Sequence, residues 1–120
     1  MSSPTGRLTT HVLDTASGIP AAGVRIELLR GAGANAVPLA STATNAEGRT
    51  AAPLLAGSEM AVGRYTLLFH LGDYFRNRGN PDAGRFLDIV PIFFAIEDAS
   101  AHYHVPLLAS PWAYSTYRGS

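Results

Sequence analysis

The stretch Leu8-Thr9-Thr10-His11-Val12-Leu13 is rich in β-branched residues and alternates in character, a pattern typical of a half-buried β-strand. Because successive side chains of a strand point to opposite sides of a sheet, Leu8, Thr10 and Val12 share one face and His11 lies on the other. The first face suits a hydrophobic core. The sequence therefore predicts that His11 lies on the outer surface of a sheet, either solvated or at an interface.

Short segments of the same kind follow this one along the whole chain, and turn residues separate them. Their spacing of roughly 8–12 residues is typical of an all-β sandwich or barrel, here with about eight strands. Asp73 as a cap and Gly79 as a stop predict one short helix over residues 73–78. Pro53 and Pro91 indicate edge strands or a bulge. The further predicted strands are residues 24–29, 39–44, 49–55, 63–71, 86–96, 102–108 and 114–118.

The composition excludes several kinds of chemistry. The 120 residues contain no cysteine, so disulfides, thiolate zinc sites and cysteine nucleophiles are excluded. All nine basic residues are arginine, which excludes a Schiff-base lysine and a phosphate-loop lysine. The formal net charge is zero, which argues against a general attraction to nucleic acid or to an anionic membrane.

Location is predicted from the apolar segments. No apolar run approaches the roughly 20 residues that a membrane-spanning helix needs. Residues 1–7 lack the apolar region of a secretory signal, so we expect a cytoplasmic protein, with periplasm and peroxisome left open.

Two histidines stand two residues apart in the segment 102–108. His102 and His104 therefore project from the same face of a predicted strand. Three interpretations are open for the pair: structural histidines with satisfied partners, half of a zinc site, or an acid–base site, because imidazole titrates near neutral pH. His70 ends another strand and is interpreted as a surface residue.

Two further features suggest a binding site. Arg49 follows Gly48 in a tight turn, and its planar guanidinium suits an anionic ligand with several carbonyl groups. The segment 114–120 contains two tyrosines, an arginine and several hydroxyls, which is unusual for a chain end. It is interpreted as an edge strand, a lid or a component of a site.

Several motifs together resemble the hydroxyisourate-hydrolase branch of the transthyretin-like family. The resemblance extends in order from Arg7 to Ser120, and the segment Tyr117-Arg118-Gly119-Ser120 is its most specific element, because the hormone-carrying transthyretins end differently. The motifs are Leu8-Thr9-Thr10-His11-Val12-Leu13-Asp14, Asn45-Ala46-Glu47-Gly48-Arg49, Gly72-Asp73-Tyr74-Phe75, His102-Tyr103-His104-Val105-Pro106-Leu107-Leu108, Ser110-Pro111 and the segment 114–120. Small departures at Ala109 and Trp112-Ala113 do not touch the catalytic positions.

The resemblance implies a fold and an assembly. The fold is a transthyretin-like β-sandwich of seven to eight strands in two sheets, with one short helix, over a single domain of residues 1–120. The assembly is a homotetramer, a dimer of dimers, with active sites at the interface between dimers. Outward-facing polar residues would then be buried when the subunits assemble.

The resemblance also implies an activity and the residues responsible for it. The reaction is hydrolysis of 5-hydroxyisourate to 2-oxo-4-hydroxy-4-carboxy-5-ureidoimidazoline in urate catabolism, with no metal and no cofactor. A histidine would deprotonate water and Arg49 would stabilise negative charge, while the hydroxyl or carboxylate of Ser120 would orient an imidazole or the water. The alternative is a non-catalytic small-ligand carrier of the same fold. The implied catalytic residues are His11, Arg49, His104 and Ser120, and the implied substrate-binding residues are Tyr117, Arg118 and His102.

Overall fold

Nine strands and one α-helix follow each other along residues 5–119, the part of the chain that the computed structural model describes. The strand that the sequence pattern did not predict, Ile19–Pro20, has only two residues. Short 3₁₀ turns occupy Gly33–Asn35 and Gly57–Glu59. The elements are β1 (Arg7–Asp14), β2 (Ile19–Pro20), β3 (Arg25–Arg30), β4 (Val37–Ala43), β5 (Leu55–Ala56), β6 (Gly63–His70), α1 (Leu71–Asn77), β7 (Ile89–Ile96), β8 (His102–Ala109) and β9 (Tyr114–Thr116).

The strands form two sheets, which makes the described residues the predicted all-β sandwich with one short helix. One sheet has the order β2-β1-β8-β9, with β5 also paired to β1, and the other has the order β4-β3-β6-β7. All pairings are antiparallel except that of β1 with β8, which is parallel and in register over eight residue pairs. None of the helices in the described residues is long and apolar enough to cross a membrane.

The core lies between the two sheets and confirms the period-two prediction for β1. Leu8, Thr10 and Val12 are buried, whereas His11 is only partly buried on the opposite face. The buried hydroxyl of Thr10 donates a hydrogen bond of 2.8 Å to the carbonyl oxygen of Val105, which satisfies the only polar group on this face between the two apolar side chains. The largest fully buried side chains are Tyr65, Phe69, Phe75, Leu8, Ile26, Leu28, Leu67, Leu71, Ile96, Leu107, Val12 and Val24.

Several predicted boundaries were wrong; the strand predicted over 114–118, for example, ends at Thr116. Residues 49–55 do not form a strand: Arg49 makes a single bridge to His11, and regular pairing begins only at Leu55–Ala56. The segment contains Pro53, which has no N–H to donate to a neighbouring strand. The helix begins at Leu71 rather than Asp73, whose carboxylate instead pairs with the Arg76 side chain at 3.1 Å. The strand predicted over 86–96 begins at Ile89.

Asp14 joins β1 to the helix through a buried carboxylate. Its Oδ2 accepts a hydrogen bond of 2.8 Å from the Tyr74 hydroxyl, and its Oδ1 accepts one of 2.9 Å from the backbone N–H of Ser17. Arg78 Nε lies 3.7 Å from Oδ2 and supplies a compensating charge. Burial, then the bond to this carboxylate, raises the pKa of Tyr74 well above its usual range. The sequence identified Asp14 as part of a motif but did not predict this structural role.

A tight turn after β4 brings Arg49 against β1. The Asn45 side chain accepts hydrogen bonds from the backbone N–H groups of Glu47 and Arg49, at 2.9 and 3.2 Å. Gly48 has a φ of +76°, and its carbonyl oxygen accepts a bond of 2.8 Å from the N–H of Val12. A Cβ atom on Gly48 would lie 2.5 Å from the Val12 carbonyl oxygen. Only glycine fits this approach to β1 without strain.

We therefore expect Gly48→Ala to destabilise the protein more than Gly18→Ala. Gly18 also has a positive φ, of +71°, but a Cβ atom there would meet nothing within 4 Å. In Gly18→Ala the free energy of unfolding falls by about 1 kcal/mol, because alanine must adopt the left-handed backbone. In Gly48→Ala it falls by about 1–3 kcal/mol more, because the new Cβ atom overlaps with β1. Urea unfolding at one protein concentration measures both free energies. Equal losses in the two variants would contradict the close approach of the turn to β1.

Candidate active site

The register between β1 and β8 brings the outward-facing polar side chains together. Thr9 pairs with His104, and Arg7 pairs with His102. In a parallel pair the side chains of facing residues project to the same side of the sheet, so Thr9, His102 and His104 share the outer surface with His11. Residues that are more than 90 positions apart in sequence therefore form one polar surface.

The Thr9 hydroxyl lies between the two imidazoles of β8. Its Oγ1 is 2.7 Å from His102 Nε2 and 2.8 Å from His104 Nδ1. The ring centroids of His102 and His104 are 6.2 Å apart, and those of His11 and His104 are 6.3 Å apart. The three rings thus form a row, with His104 in the middle.

Arg49 adds a positive charge to this row. Its backbone forms an isolated bridge with His11, so the turn holds the guanidinium group beside the imidazoles. Burial, then the Arg49 cation, lowers the pKa of His11 below the usual value of 6.5. Burial lowers the pKa of His104, and Arg49, His11 and His102 lower it further. Both imidazoles are therefore neutral at pH 7 and can accept a proton, next to a cation that stabilises negative charge.

The segment after β9 returns to His104. The N–H of Gly119 donates a hydrogen bond of 2.7 Å to the carbonyl oxygen of His104, and a Cβ atom on Gly119 would lie 2.9 Å from His104 Cδ2. Glycine is required because a side chain here would press on the imidazole ring. The predicted site residue Ser120 lies outside the described residues.

A cleft of about 340 Å³ opens over these groups, and we call it the histidine cleft. It is lined by Arg7, Thr9, Arg49, Pro53, His102 and His104. Three polar or charged residue types, arginine, histidine and threonine, therefore surround one cavity, with proline as an apolar wall.

Tyr117 and Arg118 line a different, more apolar cleft of about 230 Å³, together with Tyr103 and Phe93. The Arg118 guanidinium lies 4.3 Å from the centroid of the Tyr103 ring and donates a hydrogen bond of 3.3 Å to the carbonyl oxygen of His102. The structure therefore brings His11, Arg49, His102 and His104 together, and it places the Tyr117 and Arg118 side chains at the neighbouring cleft.

Sequence reasoning assigned no role to Thr9, Arg7 and Gly119. Period-two alternation places Thr9 and Arg7 on the same face as His11. Their contact with the histidines of β8 follows only from the pairing of β1 with β8, and no local sequence pattern predicts that pairing. Within residues 5–119, no three His, Asp or Glu side chains are grouped as a metal site would require.

Comparison with known proteins agrees with this fold. Residues 8–119 match the transthyretin domain described as the HIUase/Transthyretin family. The chain is 54% identical over 120 residues to 5-hydroxyisourate hydrolase 2 of Rhizobium meliloti (strain 1021), a match that covers 98% of this chain and 99% of that protein. The chain belongs to the HIUase/Transthyretin family.

Two solved structures support the same conclusion. The structure of Klebsiella pneumoniae 5-hydroxyisourate hydrolase is 38% identical with a TM-score of 0.79, covering 95% of this chain and 99% of that chain. A crystal structure of (S)-allantoin synthase is 46% identical with a TM-score of 0.91 and covers 99% of this chain. This chain corresponds to 45% of that longer protein.

The position of Arg49 predicts a shift in the titration of the histidines. Replacing Arg49 with Gln removes a cation that opposes protonation, so we expect the pKa values of His11 and His104 to rise towards 6.5. NMR titration of the imidazole carbon-bound protons measures this change. Arg85→Gln is a matched control, because Arg85 pairs with Asp82 and lies over the Trp112 ring, away from the histidines. Unchanged histidine titrations in the Arg49 variant would contradict the geometry of the site.

Proposed function

We propose that this protein hydrolyses 5-hydroxyisourate to 2-oxo-4-hydroxy-4-carboxy-5-ureidoimidazoline, using His11, Arg49, His104 and Ser120 as catalytic residues. The observation that carries the proposal is that the neutral imidazole of His104 and the cation of Arg49 line one cleft, with the neutral imidazole of His11 next to both. Family membership and the names of its close relatives support the same substrate. We also propose that residues 1–120 act as one domain.

The hydrolysis requires a base and a stabilised oxyanion. The imidazole of His104, or that of His11 acting with it, takes a proton from water, and the water oxygen forms a bond to a ring carbonyl carbon. Arg49 donates hydrogen bonds to the oxyanion that develops and does not itself titrate. The ring carbon–nitrogen bond then breaks, and the leaving nitrogen takes the proton from the imidazolium. Ser120 orients the water or an imidazole.

Substrate binding uses the groups around these residues. His102 lines the histidine cleft, and Tyr117 and Arg118 lie at the adjacent cleft. Hydrogen-bond donors of this kind match the carbonyl oxygens of an oxidised purine. The reaction is the opening of a cyclic amide and proceeds without a metal or a cofactor, because the imidazoles themselves provide the base.

The active protein is a homotetramer, a dimer of dimers. Apolar side chains that one subunit leaves exposed support assembly: Phe93 on the edge strand β7 is 63% exposed, and Ile89 on the same strand is 47% exposed. Sedimentation equilibrium is expected to give four times the chain mass of 12.7 kDa. A monomer at micromolar concentration would contradict the assembly.

The direct test is a coupled assay. Urate and urate oxidase generate 5-hydroxyisourate, and its ultraviolet absorption is followed with and without this protein and with and without a chelator. We expect the protein to accelerate the decay of 5-hydroxyisourate equally with and without the chelator. No acceleration, with tight binding of a thyroxine-like compound, would identify a carrier, and loss of activity with chelator would identify a metal enzyme.

The histidines are tested separately by substitution. We expect His11→Ala and His104→Ala each to lower kcat by about 10²–10⁴-fold, the usual contribution of a general base, while the tetramer and the melting temperature are kept. Arg85→Ala serves as the control, because this exposed side chain lies away from the imidazoles. Full activity in both histidine variants would refute the assignment of the base.

A further inference from the structure

Thr9 is the residue through which β1 reaches both histidines of β8. Its side chain is β-branched and half-buried, and the register fixes it opposite His104. The two contacts of 2.7 and 2.8 Å are short for hydrogen bonds between a hydroxyl and a ring nitrogen. Thr9 lies in a motif that carries the family resemblance, but neither the sequence pattern nor the resemblance assigned it a role.

Counting protons restricts what the hydroxyl can do. A hydroxyl has one hydrogen and two lone pairs, and a neutral imidazole has one N–H and one lone pair. If His104 carries its hydrogen on Nδ1, it donates to Thr9 Oγ1, and the Thr9 hydroxyl in turn donates to His102 Nε2. Both hydrogens in this pair of linked hydrogen bonds then have an acceptor, and Nε2 of His104 keeps its lone pair.

His102 is suited to be the final acceptor in these linked hydrogen bonds. Burial, then the cations of Arg7 and Arg118, lowers the pKa of His102 below 6.5, so the ring is neutral at pH 7 and can accept a hydrogen bond at Nε2. An imidazolium at His102 would present an N–H to the Thr9 hydroxyl and would reverse the direction of the hydrogen bonds. By keeping His102 neutral, Arg7 and Arg118 leave its Nε2 able to accept the hydrogen bond from Thr9.

We propose that Thr9 is a positioning residue, whose hydroxyl holds His104 as the Nδ1–H tautomer and so leaves Nε2 of His104 free to take the proton from water. The proposal rests on the proposed hydrolysis and extends it, because it assigns the base nitrogen and gives His102 a role as the anchor of Thr9. The groups that set the charge around the His104 ring are Arg49, His11 and His102.

Replacing the hydroxyl with a methyl group tests the role. Thr9→Val keeps the β-branched shape, and we expect kcat to fall at least about tenfold while KM changes less than about twofold. Thr9→Ser retains the hydroxyl and is expected to keep most of the activity. In the valine variant the imidazolium of His104 loses a hydrogen-bond acceptor, which lowers the pKa of His104. The acidic limb of the pH profile of kcat/KM is therefore expected to move to lower pH.

A spectroscopic readout is independent of turnover. Long-range proton–nitrogen NMR correlations distinguish a protonated ring nitrogen from an unprotonated one, and we expect the Nδ1–H tautomer for His104 in the unmodified protein and in Thr9→Ser. A mixture with the Nε2–H tautomer is expected in Thr9→Val. Should the valine variant fold poorly, Thr9→Ala makes the same comparison.

Thr66→Val is the matched control. The Thr66 hydroxyl also lies on a strand and donates a 2.8 Å hydrogen bond, but to the carbonyl oxygen of Gly31 in the other sheet. We expect its kcat and its histidine tautomers to be unchanged. Wild-type kinetics and tautomers in Thr9→Val would overturn the role of Thr9 and leave the hydrolase proposal intact. No acceleration by the unmodified protein would overturn the hydrolase proposal, and the role of Thr9 in it.

Discussion

The parallel pairing of β1 with β8 is the contact on which the candidate site depends. Eight registered residue pairs join the beginning of the described chain to its last long strand. Since side chains alternate between the faces, the same pairing buries Leu8 and Val12 against the other sheet and sets Thr9 beside His104 on the outside. A shift of one residue would reverse every face, so the core fixes the position of the histidines.

Electrostatics then gives the surface its chemical character. Three cationic side chains, those of Arg7, Arg49 and Arg118, lower the pKa of one or more of the neighbouring imidazoles, which burial already disfavours in their charged form. The consequence is a set of histidines that accept protons at neutral pH next to cations that cannot lose theirs. These histidines bind fewer protons than in the unfolded chain near pH 6.5, so they reduce stability as the pH falls below that value.

Local sequence patterns predicted which side chains of a strand face the core. The meeting of residues far apart in sequence was expected only from the family resemblance. Alternation was sufficient to place Leu8, Thr10 and Val12 in the core and His11 outside it. It did not contain the pairing of β1 with β8, because the register of two distant strands is decided by the packing of the whole core. Residues 49–55 were assigned to a strand because a short apolar run does not show whether a partner strand is available. The proximity of Arg49 to His11 follows from the Gly48 turn, which local propensity does not reveal.

The most direct test of the site is a crystal structure of the protein with a stable purine analogue of the substrate, such as urate. The account predicts electron density for the heterocycle in the histidine cleft, with carbonyl oxygens within hydrogen-bond distance of Arg49 and a ring edge facing Nε2 of His104. Binding of the analogue only in the apolar cleft lined by Phe93, Tyr103 and Tyr117, with His104 and Arg49 untouched, would contradict it.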